Sequence, residues 1–189
     1  MKHIVYSDGA ICKGEAAYAC FYACVTDVVV ELRASFGRLK TGNITSQRAE
    51  VIGAAAALRL MLDAGVTDGK LVSDSKYVVD AIGPRNNLGA WYAQNRLAKD
   101  DFPHSDAWSA IRQIRKKFDR LEVEWCPGHE GVLLNECCDI AARHCATKIV
   151  DRAYSRSIVI PVTGIENGLS HVITEINRYS ETWNASCTN

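Results

Sequence analysis

The sequence predicts a mixed α/β (α+β) fold, a central sheet with helices packed on its faces. Three observations carry that expectation. Strand-like segments with apolar alternation open the chain, an Ala- and Leu-rich stretch then repeats at helical spacing, and short strand-like and helix-like pieces interleave after it. At 189 residues, 48% of them hydrophobic, the chain can bury one substantial core, and two full domains are not expected.

Residues 2–7 alternate as a short strand. Residues 16–25 and 28–37, separated by Thr26-Asp27, read as two more strands joined by a tight turn, which makes an opening antiparallel meander. Thr45 is a natural N-cap for a helix over 47–64, where Ala, Leu, Ile and Met recur at helical spacing and Gly65 supplies the stop. Residues 70–73 form a brief buried strand, 75–82 a short helix ended by Gly83-Pro84, and 90–98 another helical piece. A helix follows over 106–119, a strand over 121–125 and a helix over 133–146. Strands that come first in a run and later alternate with helices suggest a mixed sheet covered on both faces.

Lys plus Arg equals Asp plus Glu at 22 each, so a nucleic-acid partner would be held by local basic patches, since the overall field supplies no attraction. The N-terminus runs from Met1 straight into a strand, without a basic stretch followed by an apolar core, and no apolar run approaches the length of a membrane span. A cytoplasmic or nucleoid location and no membrane partner are expected. Eight cysteines without a signal peptide read as reduced thiols. Cys20 and Cys24 share a strand face and Cys138 and Cys145 lie two helical turns apart, neither of which is a paired zinc-ligand spacing.

The chemistry is carried by four acidic residues in separate segments. Asp8 follows the first strand, Glu50 lies in Gln47-Arg48-Ala49-Glu50 of the first helix, Asp74 closes Leu71-Val72-Ser73-Asp74, and Asp139 comes ten residues after Gly128-His129. Strand ends and first helical turns are places from which carboxylates can converge on a metal. An all-oxygen donor set suits hard cations such as magnesium or manganese, which keep waters for substrate phosphates. Two such ions about 3.5–4 Å apart can activate a water on one side of a scissile phosphate and stabilise the leaving oxygen on the other. The expected class is a phosphodiester hydrolase.

In this order and spacing the set resembles the type 1 ribonuclease H family over about residues 1–147. Singly, each residue has a plain explanation: turn or capping for Asp8, Asp74 and Asp139, a solvated helix position for Glu50, an ordinary loop for His129. Together they would be five coincidences at family spacing. The resemblance implies a five-stranded sheet, cleavage of the RNA strand of RNA–DNA hybrids, and two Mg2+ ions with Mn2+ as a substitute. It implies that Asp8 bridges both ions, that Glu50 and Asp74 hold the ion near the attacking water, and that Asp139 completes the ion near the leaving group. His129 matches a family histidine that assists proton movement or product release, and a histidine titrates in the range either job needs.

The resemblance also implies substrate contacts. Gln47 matches a position that reaches the hybrid's minor groove. Thr45 and Ser46 could bind a phosphate through hydroxyls and helix N-terminal amides, Ser46 standing where relatives often carry Asn. Asn135 resembles a loop Asn near the active site, and Gly14 stands where a minor-groove Asn is expected. A handle region is present in length, with Trp91 as a substrate-binding candidate beside Tyr92, Arg85, Arg96 and Lys99, but Asp100 and Asp101 offset its charge. The densest basic stretch is Arg112, Arg115, Lys116, Lys117 and Arg120.

Other outcomes for such a chain are a related enzyme acting on DNA, as integrases and transposases do, a hybrid-binding module without activity, or a ribonuclease domain of a reverse transcriptase. None of the four acidic ligands is missing, which weighs against an inactive module, and Met1 just before the first strand favours an independent protein. Residues 148–189 form an extension. In it Ile165, Leu169, Val172, Ile176, Tyr179 and Trp183 keep one apolar seam on a helix, expected either to dock on its own domain or to mediate self-association.

Overall fold

The computed structural model describes residues 1–39, 44–99, 101–148, 154–160 and 165–187. Strands β1 (Lys2–Cys12), β2 (Glu15–Val25) and β3 (Val29–Arg38) form the expected antiparallel meander. Strands β4 (Asp68–Ser73) and β5 (Arg120–Trp125) add in parallel beside β1, and β6 (Tyr154–Ile160) adds antiparallel to β3. The sheet order is β5-β4-β1-β2-β3-β6.

The central strand β2 is buried along almost its whole length, and its side chains alternate between two cores, as a pleated strand requires. Cys20, Tyr22 and Cys24 face helix α1 (Ser46–Asp63), with Leu58, Met61, and Trp108 and Ile111 of α4 (Ser105–Arg115). Ala19, Phe21 and Ala23 face α5 (Leu133–Lys148), with Cys138, Ala142 and Cys145. Helices α2 (Lys76–Ile82) and α3 (Asn87–Ala93), then a 3-10 turn over Arg96–Ala98, connect β4 to α4. Seven described cysteines are free thiols, most of them buried like small apolar residues. Among the described residues no helix is long and apolar enough to cross a membrane.

The helical piece expected over 90–98 is instead α3, which begins at Asn87 and ends at Ala93, and the separate 3-10 turn, because Asn95 takes a left-handed backbone at φ +54°. The sheet differs from expectation in two further places. The sheet has six strands, not five, because residues 154–160 pair with β3 from Leu32↔Ile160 to Arg38↔Tyr154. Ser155, Arg156 and Ser157 blur the apolar pattern of this strand, and its partner is more than a hundred residues away in sequence, so no local signal marks it. Pairing there covers what would otherwise be an exposed edge of β3. Strand β1 also runs on to Cys12 instead of ending before Asp8. Lys13 and Gly14, at φ +53° and +81°, form a two-residue hairpin turn whose twist matches the strands, so β2 carries β1 past Asp8, which pairs with Ala19. Gly14 is thereby explained as a turn residue.

Helix α6 (Ile165–Cys187) buries Val172 and Ile176 completely, with Leu169 packed beside them, against α5, Leu32 and Ile160. Gly168 permits this approach, since a Cβ there would lie 2.7 Å from Leu32 Cδ2. His144 and Asn177 add a side-chain hydrogen bond of 2.7 Å between the two helices. The described part of the seam therefore docks within the chain. The side chains of Ile165, Tyr179 and Trp183 lie outside the described residues, as does Asp100.

Candidate active site

Register places the first two carboxyls. The last β1–β4 pair is Tyr6↔Val72, and two residues further along each chain come Asp8 and Asp74. Parallel strands advance together, so the two residues stand side by side in the crevice where β4 ends and β1 continues with β2 alone.

Close packing brings the third. Helix α1 crosses β1 with almost no space between backbones: a Cβ on Gly9 would lie 2.4 Å from the Ala49 carbonyl carbon, and one on Gly53 3.1 Å from the Asp8 carbonyl oxygen. Larger residues at either position would push α1 outward. With α1 this near, Glu50 reaches the crevice, and Asp8, Glu50 and Asp74 each offer an oxygen within 4.8 Å of the others.

Three contacts position Asp74. Its Oδ2 accepts from Asn135 Nδ2 at 3.1 Å, and its carbonyl accepts from the Trp125 indole N–H at 3.0 Å. Gly128 passes so close that a Cβ would sit 2.7 Å from Oδ2, which explains glycine before His129. Asp8 accepts from the Gly9 N–H at 2.7 Å and is only 5% exposed.

The cost of this crowding is electrostatic. Burial, reinforced by Asp74, pushes the Asp8 carboxyl up to about 7, and burial with Asp8 and Asp74 beside it pushes Glu50 higher still. Glu50 Oε2 and Asn135 Oδ1 are buried without a hydrogen-bond partner. An unsatisfied oxygen among like charges is a site that a cation would stabilise.

Asp139 is not part of that mutual cluster. It comes from α5, its Oδ1 accepts from Arg143 Nε at 2.6 Å, and its Oδ2 lies 3.9 Å from His129 Nδ1. Its charge nonetheless reaches Asp8, whose carboxyl it helps to raise. His129 adopts a left-handed backbone at φ +57° in the β5–α5 loop and is 67% exposed. Gly131, at φ +83°, donates its N–H to Glu136 Oε1 at 2.8 Å and ties that loop to α5.

Thr45 caps α1 as expected, accepting the Arg48 N–H at 3.0 Å, and lies 3.4 Å from His104 Nε2. Ser46 and Gln47 are exposed in the first turn, Gln47 one turn before Glu50 on the same side of the helix. Trp91 packs edge-on against Phe102 and Trp108, with centroids 5.3 and 5.6 Å away, in an aromatic cluster that also holds Tyr77. The exposed ring of that helix is Tyr92, with the Arg112 guanidinium 3.2 Å from its centroid.

The residues that sequence reasoning missed are those acting on the carboxylates. Arg143 stands four residues after Asp139, a spacing legible as a helical ion pair. Trp125 and the packing role of Gly9 had no local signal, because each depends on an element distant in sequence.

A family model described as RNase H matches residues 1–147. The chain belongs to the ribonuclease H family. As a ribonuclease H-type nuclease it is similar to the ribonuclease H of Trichodesmium erythraeum, 27% identical over 147 residues that cover 77% of this chain and 88% of that one. It is 32% identical over 102 residues to the ribonuclease H of Syntrophomonas wolfei, covering 53% of this chain and 68% of the relative. Among solved structures, RNase H1 of Halobacterium salinarum matches with a TM-score of 0.54 at 22% identity, over 74% of this chain and 93% of that chain. The protease–reverse transcriptase of prototype foamy virus matches with a TM-score of 0.68 at 19% identity, over 79% of this chain and 21% of its own. At these identities the structural matches speak for the ribonuclease H fold alone.

Proposed function

We propose that this ribonuclease H hydrolyses the RNA strand of RNA–DNA hybrids endonucleolytically, using two divalent cations, Mg2+ or in its place Mn2+. The observation that carries the reading is the convergence of Asp8, Glu50 and Asp74 within 4.8 Å. The donor set fits such ions: it is all oxygen, one buried oxygen has no partner, and crowding disfavours three free charges. Glu50 and Asp74 would hold one ion with Asp8, and Asp8 and Asp139 the other. Bound there, a divalent ion supplies Lewis acidity to a phosphoryl oxygen and lowers the pKa of a water.

The chain's own residues do the rest. Asn135 orients the Asp74 carboxylate, since its amide can only donate to that oxygen. His129, exposed and near Asp139, carries a proton at the leaving-group side of the site. The hydroxyls of Thr45 and Ser46 and the first-turn amides of α1 face a backbone phosphate, and Gln47, one turn from Glu50, reads the minor groove. There the 2′-hydroxyl distinguishes RNA from DNA.

The test is incubation with labelled RNA–DNA hybrid, double-stranded RNA and duplex DNA, with and without Mg2+. Internal cuts in hybrid RNA alone, abolished by chelator and by Asp8→Asn, are expected. Robust cleavage by D8N, or by the wild type in excess chelator, would remove the metal reading. Equal cutting of duplex DNA would remove the hybrid reading.

A further inference from the structure

Asp139 is the carboxylate to which the fold has already assigned a cation. Its side chain is 16% exposed, and Arg143, itself 56% exposed, reaches inward from one turn further along α5 to bind Oδ1 at 2.6 Å. The other oxygen faces the His129 imidazole at 3.9 Å. Asp8, Glu50 and Asp74 gather their oxygens within 4.8 Å of one another, and Asp139 is not part of that cluster. The guanidinium already holds Oδ1 and draws on the charge of the whole carboxylate, so an ion that recruits Asp139 must displace Arg143 or share the carboxylate with it.

We propose that Arg143 is a positioning residue that competes with the cation for Asp139, so that the Asp8–Glu50–Asp74 side loads first and Arg143 sets the affinity wherever Asp139 is a ligand. The inference rests on the metal reading above. A plain surface ion pair would have no such consequence, because breaking it would alter neither ligand set nor cation affinity beyond the loss of one nearby positive charge. That field effect acts whether or not Asp139 can ligate, whereas competition needs the Asp139 carboxylate. The two are therefore separable in a double-mutant cycle.

The experiment is calorimetric titration of the full chain with Mn2+, without nucleic acid, for wild type, R143Q, D139N and the double variant. Arg143 is on the helix surface and its replacement leaves the core untouched, which melting curves check directly. In the Asp139 background R143Q should bind Mn2+ about tenfold more tightly, the scale of one charge-assisted contact relieved, and in the D139N background by less than about threefold. An equal gain in both backgrounds, or none in either, would overturn the inference while leaving the metal site standing. Absence of Mn2+ binding in every variant would remove the metal site itself, and the inference with it.

Discussion

Asp8 and Glu50 carry a proton affinity that their position imposes. Each is raised above its ordinary carboxylate value by burial first and by neighbouring carboxylates second, Asp8 to about 7. A carboxyl raised in the folded state binds protons more tightly folded than unfolded, so its contribution to stability is present at low pH and is lost as pH rises from the unfolded value of 3.8 towards 7. The metal-free protein in chelator should therefore gain in melting temperature from this site at about pH 5 relative to about pH 8, and D8N should flatten that slope. Added Mg2+ should raise the melting temperature more at the higher pH, because the ion displaces the protons. Equal Mg2+ stabilisation at both pH values would contradict this assignment. His129 belongs to the same scale: its side chain is 67% exposed and 3.9 Å from Asp139, which suits the proton carrier proposed above better than a part of the site's frame. His129→Ala should lower kcat about 10²-fold and leave hybrid affinity nearly unchanged, measured by single-turnover cleavage alongside binding to the D8N background.

At the scale of elements, the site depends on four pieces meeting: β1, α1, the end of β4 and α5. The β6–α6 extension supplies none of the carboxylates, yet it closes the core over α5, where Val172 and Ile176 are fully buried beside Leu32 and Ile160. Ile176→Ala should cost about 2–5 kcal/mol in urea unfolding while cleavage by the folded protein persists. Deleting residues 151–189 should act in the same direction and more strongly, because it also uncovers the β3 edge. A truncated protein that stays folded yet cuts nothing would show that the extension builds part of the substrate site.

For the whole molecule, charge is balanced globally and also neutralised locally. Arg48 pairs with Asp106, Arg85 with Asp80, Arg120 with Glu122 and Arg143 with Asp139. These pairs hold part of the positive charge and the global balance supplies no attraction, so hybrid binding should be weak, with a shallow log–log salt dependence of magnitude below about 4. Fluorescence anisotropy of D8N with labelled hybrid across a salt series measures it. A steep slope would mean that these ion pairs open to meet phosphates.

The sequence by itself determined the element types up to α5, the N-cap at Thr45, the stop at Gly65 and the candidacy of Asp8, Glu50, Asp74, His129 and Asp139. Periodicity, capping and turn chemistry are local, and a motif in fixed order survives in one dimension. Strand β6 and the length of β1 were not legible, since each exists through a neighbour far along the chain, β3 in one case and β2 in the other. The condition of the site was likewise a tertiary matter. Only the approach of α1 through Gly9 and Gly53 brings Glu50 to Asp8. Proximity across elements sets burial, and burial sets the proton affinity of a carboxylate and its readiness for a cation.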